Sequence, residues 1–208
     1  MPTNTFFNLT EKKKNRVINA AIDEFSEKGY TKASITNIVN KAEIAKGSYY
    51  QYFEDKTDLY RYVLKKAIQK KLKYVKKELK DYNGNDFFKY WRKLNIAGLK
   101  YAEDNIKLAK IASQIVKNKN EEFYQSIIDE YKNMGVGFFE RLLKIAIEEG
   151  EVREDINIEY TANLMYKASF FITDYFFEKK GLKQLDEFIP LIDNVIEIIE
   201  YGIKKEGG

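Results

Sequence analysis

Cysteine and histidine are both absent from the 208 residues of this sequence. A chain without them has no disulfides, thiolate nucleophiles, histidine bases or common zinc sites, so carboxylates, lysines and hydroxyls are the only groups left for catalysis. Long apolar runs are also missing, because none approaches the ~20 residues that a membrane span requires. We therefore expect no enzymatic activity, no metal, no cofactor and no insertion into a membrane.

The first residues do not have the pattern of a secretory signal. The segment MPTNTFFNLTEKKKN places its basic cluster after a short apolar piece. This order is the reverse of the one found in signal peptides, in which the positive charges come first. The expected location is therefore the cytoplasm.

Positive charge is concentrated toward the N-terminal part of the chain. Residues 57–80 hold nine Lys and Arg against two Asp and Glu, whereas residues 81–208 hold 18 against 23. Such an asymmetry is typical of a protein with one end that meets a polyanion such as DNA. The lysines of 65–80 are also explained as the solvated face of a helix, and we expect them to attract DNA at long range more than to contact it.

Residues 34–53 are predicted to form two short helices joined by a tight turn. Ser34 is placed to cap the first helix, and its apolar residues recur at helical spacing. The pattern breaks at Ala42-Glu43-Ile44 and resumes in a second helix. Two helices this short need a third to bury their apolar sides, and residues 12–28, which end at Gly29, supply it. The pattern predicts a three-helix unit that contains a helix-turn-helix.

The C-terminal part of the chain is predicted to be a larger helical body. Residues 55–80 form one long helix that connects the two parts, and Gly135 and Gly137 lie inside a later helix, where close packing or a bend would explain them. The helix at 158–179 is apolar nearly all round, so it needs burial on two sides. A second subunit would supply one side through a four-helix interface. The predicted interface residues are Phe171, Tyr175, Ile192, Val195 and Ile199.

The outer face of the second short helix carries hydrogen-bond donors and aromatic hydroxyls, which suit phosphates and base edges. The alternative is a polar cover on a small bundle. The stretch from Gly47 to Phe53, with Lys56 and Leu59 after it, resembles the TetR family of bacterial transcriptional repressors. The resemblance covers about residues 11–59 and includes upstream matches at Phe25, Gly29, Tyr30, Ser34, Ile38 and Ala42.

The resemblance implies two sets of DNA-binding residues. Phosphates would be held by Ser34, Thr36, Tyr50 and Lys56. The residues in or beside the major groove would be Lys46, Gly47, Ser48, Tyr49, Gln51 and Tyr52. Two positions depart from the family pattern, since Glu43 replaces a usual glycine and Ala45 a frequent serine. We therefore expect a strained turn, a weakly capped second helix and a negative charge near the phosphates.

The resemblance also implies a separate role for each part of the chain. Residues 1–56 would bind DNA, residues 57–80 would connect, and residues 81–208 would bind an effector and dimerise. The aromatic residues of the body are either plain core or the lining of an effector pocket. The candidates for the lining are Trp91, Asn95, Tyr131, Phe138, Tyr166 and Phe170.

The predicted fold class is thus all-α, and the predicted function is that of a repressor. A homodimer would bind a palindromic operator whose half-sites lie about one helical turn, ~34 Å, or a multiple apart. A small, largely apolar or aromatic effector would release it. Two alternatives remain open at this point: an architectural DNA-binding protein of the same fold without an effector, and a helical carrier or enzyme.

Overall fold

The computed structural model describes residues 1–80, 86–118, 121–179 and 185–204. Regular structure in these ranges is helical, which confirms the all-α prediction. A single 3-10 turn, Leu185–Phe188, precedes the last helix. The α-helices are α1 Asn4–Phe7, α2 Glu11–Lys32, α3 Ile35–Lys41, α4 Lys46–Tyr52, α5 Lys56–Glu78, α6 Phe87–Asp104, α7 Ile106–Lys117, α8 Glu122–Glu148, α9 Ile158–Lys179 and α10 Ile189–Ile203.

The chain divides into two compact units, and the division differs from the predicted boundaries. The first unit contains Met1–Lys70 and Asn105–Lys117, and the second contains Lys71–Asp104 and Asn118–Gly208. Helix α5 therefore contributes its first two thirds to one unit and its end to the other. Helix α7, which the sequence assigned to the body, packs on α2. The predicted boundary at residue 81 falls just outside the described ranges.

The first unit is built on α2. The Thr10 hydroxyl caps this helix by accepting a bond from the Lys13 backbone N–H at 3.4 Å. Its apolar face buries Val17 and Phe25, and the Phe25 ring meets Tyr60 of α5 edge to face, with centroids 4.9 Å apart. At Gly29 the backbone takes φ 71°, a left-handed conformation that favours glycine, and one further turn follows. The sequence correctly predicts a break in the helix at Gly29 but does not predict the further helical turn that ends at Lys32.

Helix α7 joins the first unit through polar contacts with α2. The ammonium group of Lys107 lies 2.6 Å from Asp23 Oδ1, and the Gln114 amide donates to the Ser26 carbonyl at 3.1 Å. Asp23 also pairs with Lys41 of α3. One largely buried carboxylate thus holds α3 and α7 against α2. Such contacts depend on the fold and leave no periodic mark in the sequence.

Replacing Asp23 is expected to destabilise the protein in a pH-dependent way. Burial alone would raise the pKa of Asp23, but the hydrogen bonds from Lys107 and Lys41 outweigh it and hold the pKa below its ordinary value. Asp23 therefore adds stability above its unfolded pKa of about 3.9 and loses it as the pH falls through the lower folded value. We expect Asp23→Asn to reduce the free energy of unfolding by about 1 kcal/mol at pH 7.

Urea unfolding of the parent and of Asp23→Asn across the acid range measures this difference. The two stabilities should converge as Asp23 becomes protonated in the parent. A constant difference down to the lowest pH at which both proteins fold would contradict the assignment. Asp155→Asn, at an exposed carboxylate that pairs with Arg153 at 3.3 Å, is the matched control and should change little.

The second unit packs α8 on α9, with α6 and α10 beside them. Its core includes Trp91 of α6, Phe139 and Leu143 of α8, and Met165 of α9. Helices α6 and α10 are joined by a forked ion pair in which Arg92 donates to Asp193 at 2.5 and 3.1 Å. The end of α10 also accepts a backbone bond from Arg153, where the Ile203 carbonyl lies 3.0 Å from the nitrogen.

The structure explains Gly135 by close packing. A Cβ atom at this position would overlap the ring of Tyr166 on α9, with Cδ2 only 2.7 Å away. At Gly137 the nearest atom to a Cβ is the flexible guanidinium of Arg141, 3.7 Å away. Of the two explanations left open by the sequence, close packing therefore holds for Gly135, and nothing in the structure requires glycine at 137.

Candidate nucleic-acid interface

Helices α3 and α4 are joined by the turn that the sequence predicts. The Ser34 hydroxyl caps α3 by accepting a bond from the Asn37 N–H at 3.5 Å, and the Ile44 N–H reaches the Val39 carbonyl at 3.1 Å. No side chain caps α4 at Ala45. The loss of this cap agrees with the expectation drawn from the sequence, and α4 is held in place by its neighbours instead.

The turn residue Glu43 adopts a left-handed backbone conformation with φ 53°. For a residue with a side chain this conformation costs about 1–2 kcal/mol, which is the strain expected where glycine is usual. The Glu43 carboxylate accepts a hydrogen bond from the Arg16 guanidinium at 2.6 Å. The pairing with α2 offsets part of the negative charge that this position would present to a phosphate.

One face of α4 is free to meet a ligand. Lys46, Gly47 and Gln51 are exposed, Tyr50 is 51% exposed, and Ser48 is half-buried. Nothing lies within 4 Å of a Cβ built on Gly47, so the backbone there is open to close approach. The face therefore combines an ammonium, an amide, a hydroxyl and a phenol. These are donors of the kind that contact phosphates and base edges.

Two tyrosines predicted for the groove belong instead to the core. Tyr49 is fully buried, and its hydroxyl donates to the Asp55 carbonyl at 2.9 Å. Burial is the main cause of the raised pKa of Tyr49. Tyr52 is also buried, against Phe6. A seven-residue helix has room for only one outward face, and these two rings lie on the other one.

The predicted phosphate-binding residues differ in whether their polar groups are already used in bonds within the protein. Thr36 is exposed, whereas the Ser34 hydroxyl is occupied by capping. The Lys56 ammonium donates to the carbonyls of Thr31 and Ala33 at 3.3 and 3.0 Å and lies 4.6 Å from the Tyr30 ring centroid. Burial lowers the pKa of Lys56. This lysine fixes the connection between α2 and α3, and at most one of its donors remains for a phosphate.

The N-terminal segment supports α4, a role that the sequence did not reveal. The Thr3 backbone N–H and hydroxyl donate to the carbonyls of Tyr52 and Gln51 at 3.0 and 2.6 Å, so they satisfy the open C-terminal end of α4. The Phe6 ring is buried against Phe53, with centroids 4.9 Å apart. The only signal in the sequence is the apolar pair Phe6-Phe7 in an otherwise polar segment.

The six candidate pocket residues all lie in the second unit. Trp91 is fully buried and donates to the Ser169 hydroxyl at 3.2 Å, and Asn95 donates to the Trp91 carbonyl at 2.9 Å. Tyr131, Phe138 and Tyr166 are half-buried, and burial raises the pKa of Tyr166. The Phe170 ring lies at the surface, 4.8 Å from that of Tyr166. None of the six lines the surface groove of about 470 Å³ between α6 and α10, whose walls are largely charged.

The predicted dimer residues divide into two groups. Phe171 is exposed, and Tyr175 and Val195 are half-buried. Ile192 and Ile199 are buried in the core of their own unit, which corrects the prediction that they face a second subunit. The exposed apolar side chains of α10 are instead Ile198, at 71%, and Tyr201, at 82%. On α9, Leu164 and Tyr160 are exposed about two and three turns before Phe171.

Two further features bear on the class of protein. Among the residues in the described ranges, no helix combines the length and apolar character needed to cross a bilayer. The same residues contain no cluster of three or more acidic, histidine or cysteine side chains arranged to hold a metal ion.

A capped helix, a tight turn and a second helix with a donor-rich outer face define a helix-turn-helix protein of the DNA-binding class. Residues 17–63 match the family model of bacterial regulatory proteins, tetR family. The chain is 30% identical over 157 residues to the HTH-type transcriptional regulator YvdT of Bacillus subtilis (strain 168). The aligned region covers 74% of this chain and 76% of that protein. This chain belongs to the TetR family of bacterial transcriptional regulators, as the resemblance predicts.

Solved structures agree with this assignment. A TetR family transcriptional regulator from Chloroflexus aurantiacus J-10-FL superposes with a TM-score of 0.73 at 29% identity, over 99% of this chain and 100% of that one. The transcriptional regulator FadR from Bacillus subtilis, crystallised in complex with stearoyl-CoA, has a TM-score of 0.72 at 18% identity, over 91% and 98% of the two chains. The second likeness concerns the fold alone.

Proposed function

We propose that this transcriptional regulator is a repressor, which binds a palindromic operator as a homodimer and leaves it when an amphipathic effector with a long apolar chain binds the second unit. The observation that carries the proposal is the exposed face of α4, formed by Lys46, Gly47, Tyr50 and Gln51. A repressor that occupies a promoter needs only this binding and a means of release.

The proposed DNA contacts follow from exposure. Lys46 and Gln51 would meet base edges, and Gly47 would let the α4 backbone approach the groove. Tyr50 and Thr36 would donate to phosphates on either side. The bonds of Lys56 and Thr3 hold the two ends of this region in place, so the exposed donors are positioned before DNA arrives.

The proposed dimer rests on the exposed apolar side chains of α9 and α10. On α9, Tyr160, Leu164 and Phe171 follow one helical face, and on α10, Ile198 and Tyr201 are one turn apart. An exposed apolar surface made by two adjacent helices favours association, and a second copy would cover it with the same surface across a two-fold axis. A symmetric dimer presents two α4 helices to the two halves of a palindrome.

Two observations support the proposed effector class. The FadR structure in this fold holds stearoyl-CoA, a long apolar chain with a charged head. The second unit of this chain lines its interior with Trp91, Phe138, Phe139 and Tyr166. Release requires that the effector bind one conformation more tightly than the other, and a coupling of about 1–3 kcal/mol weakens DNA binding about 5- to 150-fold.

Substitutions on α4 test the DNA face. We expect Lys46→Ala and Tyr50→Phe each to weaken operator binding, the lysine change by about tenfold or more, because each removes a donor from both halves of the dimer. The operator would first be selected from a randomised pool of duplexes. Fluorescence anisotropy at fixed salt then measures the dissociation constants, and sedimentation velocity confirms that the dimer is intact.

The matched control is Lys110→Ala, the same loss of charge on an exposed residue of α7 in the same unit. It should leave operator affinity within about twofold of the parent, as expected for a distant surface charge at moderate salt. Unchanged affinity of both α4 variants would refute the proposed DNA face. Equal losses in Lys46→Ala and Lys110→Ala, with Tyr50→Phe unchanged, would mean that only net charge matters.

A further inference from the structure

Arg16 of α2 and Glu43 of the turn between α3 and α4 form an ion pair beside the proposed DNA face. Nη1 of Arg16 lies 2.6 Å from Oε2 of Glu43, and the two side chains are 39% and 75% exposed. The Arg16 Nε is buried, and among the described residues it has no hydrogen-bond acceptor. A guanidinium carries five N–H donors, so the single bond to Glu43 leaves it only partly satisfied in the free protein.

Folding stability does not explain the presence of glutamate at position 43. The left-handed backbone at this residue is strained for a residue with a side chain, and glycine would remove the strain. A solvent-exposed ion pair stabilises a protein only slightly, so the bond to Arg16 does not offset this strain. A residue that is unfavourable for folding and lies beside a binding surface points to a role in binding.

The start of α2 runs beside α4 from one end to the other. Arg16 contacts Glu43, which lies just before α4 begins, and one turn earlier the Lys13 ammonium lies 5.8 Å from the centroid of the Tyr52 ring at the end of α4. Packed helices have axes about 8–10 Å apart, and the major groove of DNA is about 12 Å wide. When α4 lies in the groove, the exposed side of α2 therefore lies over the sugar-phosphate backbone that borders it.

We propose that Arg16 binds a phosphate of the operator and that Glu43 competes with this phosphate for the guanidinium. The inference rests on the DNA face proposed above. In the free protein Glu43 holds Arg16, and on DNA the guanidinium exchanges the carboxylate for a phosphate oxygen, which accepts the same kind of charge-assisted hydrogen bond. The exchange breaks one ion pair in each subunit and leaves a carboxylate near the phosphates. Glu43 therefore lowers the affinity of the protein for DNA.

The test measures the affinities of four proteins for two duplexes. The proteins are the parent, Arg16→Met, which keeps an apolar stem without the donors, Glu43→Gln, which keeps the shape without the charge, and the double variant. The duplexes are the operator selected with the parent and a scrambled sequence of the same length. Anisotropy titrations over a range of salt concentrations give the dissociation constants and their salt dependence. The matched controls are Lys28→Met and Glu27→Gln, equivalent losses of charge at exposed residues near the other end of α2.

We expect Glu43→Gln to bind both duplexes about threefold or more tightly than the parent, and Arg16→Met to bind both about fivefold or more weakly, because phosphate contacts are independent of sequence. Arg16→Met should also reduce the slope of log affinity against log salt by about 1 for each subunit. Both controls should stay within about twofold of the parent.

The double variant separates competition from simple repulsion between Glu43 and the phosphates. Repulsion acts whether or not Arg16 is present, whereas the ion pair that DNA must break exists only when it is. The gain from Glu43→Gln should therefore be at least about twofold larger in the parent than in the Arg16→Met background.

Melting temperatures show whether each variant is folded. Glu43 is largely exposed, so Glu43→Gln is expected to fold as the parent does, and its gain in affinity tests the competition by itself. If Arg16→Met does not fold, Arg16→Lys, which keeps the charge but loses the fork, replaces it and should weaken binding to both duplexes.

The results that would overturn the inference differ from those that would overturn the proposed DNA face. If Glu43→Gln fails to strengthen binding, or if its gain is as large without Arg16 as with it, Glu43 does not compete for this guanidinium. If Arg16→Met leaves both affinities unchanged while Lys46→Ala weakens operator binding, Arg16 does not bind a phosphate. If Lys46→Ala and Tyr50→Phe also bind as the parent does, the DNA face itself is wrong, and the role of Arg16 falls with it.

Discussion

Ile198→Glu is expected to yield a folded monomer that binds the operator at least about a hundredfold more weakly than the parent. Ile198 is largely exposed in the single subunit, so the substitution costs little within that subunit. In the proposed dimer the side chain lies in an apolar interface, where a carboxylate without a partner is costly to bury. Loss of the dimer removes the gain from engaging two half-sites together, which is about 10²- to 10⁴-fold for linked sites.

Sedimentation velocity and anisotropy with the selected operator measure the two effects, and circular dichroism confirms that the monomer is helical. The matched control is Ile145→Glu, the same change at an exposed isoleucine of α8. It should remain dimeric with unchanged operator affinity. A dimeric Ile198→Glu protein would show that α10 does not contribute to the interface. A monomer with full operator affinity would show that dimerisation is not needed for binding.

Gly135→Ala is expected to destabilise the protein by about 2 kcal/mol, and Gly137→Ala to stabilise it by up to about 1 kcal/mol. The two substitutions add the same methyl group to the same helix, so helix propensity contributes equally to both. They differ in their surroundings, because the methyl group at 135 overlaps the Tyr166 ring and the one at 137 meets only the end of Arg141. The pair therefore isolates the cost of the contact between α8 and α9.

Thermal unfolding at one fixed protein concentration measures both changes, since the melting temperature of the proposed dimer would depend on concentration. For a chain of this length we expect shifts of about 2–4 °C per kcal/mol. Tyr166→Ala should remove most of the difference between the two glycine positions, which a double-mutant cycle quantifies. Equal stabilisation by both alanines in the parent would mean that the Tyr166 ring moves away without cost.

The DNA-binding helices could be predicted because their signals are local. Ser34 caps α3 as expected, and the strain expected at Glu43 is found as a positive φ. The assignment of side chains to the DNA face was less successful. Tyr49 and Tyr52 carry hydroxyls and belong to the motif, but they are held inside by the Asp55 carbonyl and by Phe6. These partners are not part of α4, so its periodicity does not reveal them.

In the C-terminal helices, too, the sequence predicts the helix but not which of its side chains are buried. The helix at 158–179 was found with its observed bounds, because its apolar character is strong. On α10 the isoleucines occur on more than one side, and sequence spacing does not indicate which stripe faces the subunit's own core. The structure buries Ile192 and Ile199 and leaves Ile198 exposed, and this choice depends on the neighbouring helices.

By itself, the sequence determined the helical character of this chain, the helix-turn-helix and the family, because caps, turns and the spacing of apolar residues act over a few neighbouring positions. Only the tertiary structure decided that Tyr49 and Tyr52 are buried, why Gly135 has no side chain, and that α7 packs on α2. Each of these depends on atoms that lie far apart along the chain and meet only after the helices have packed.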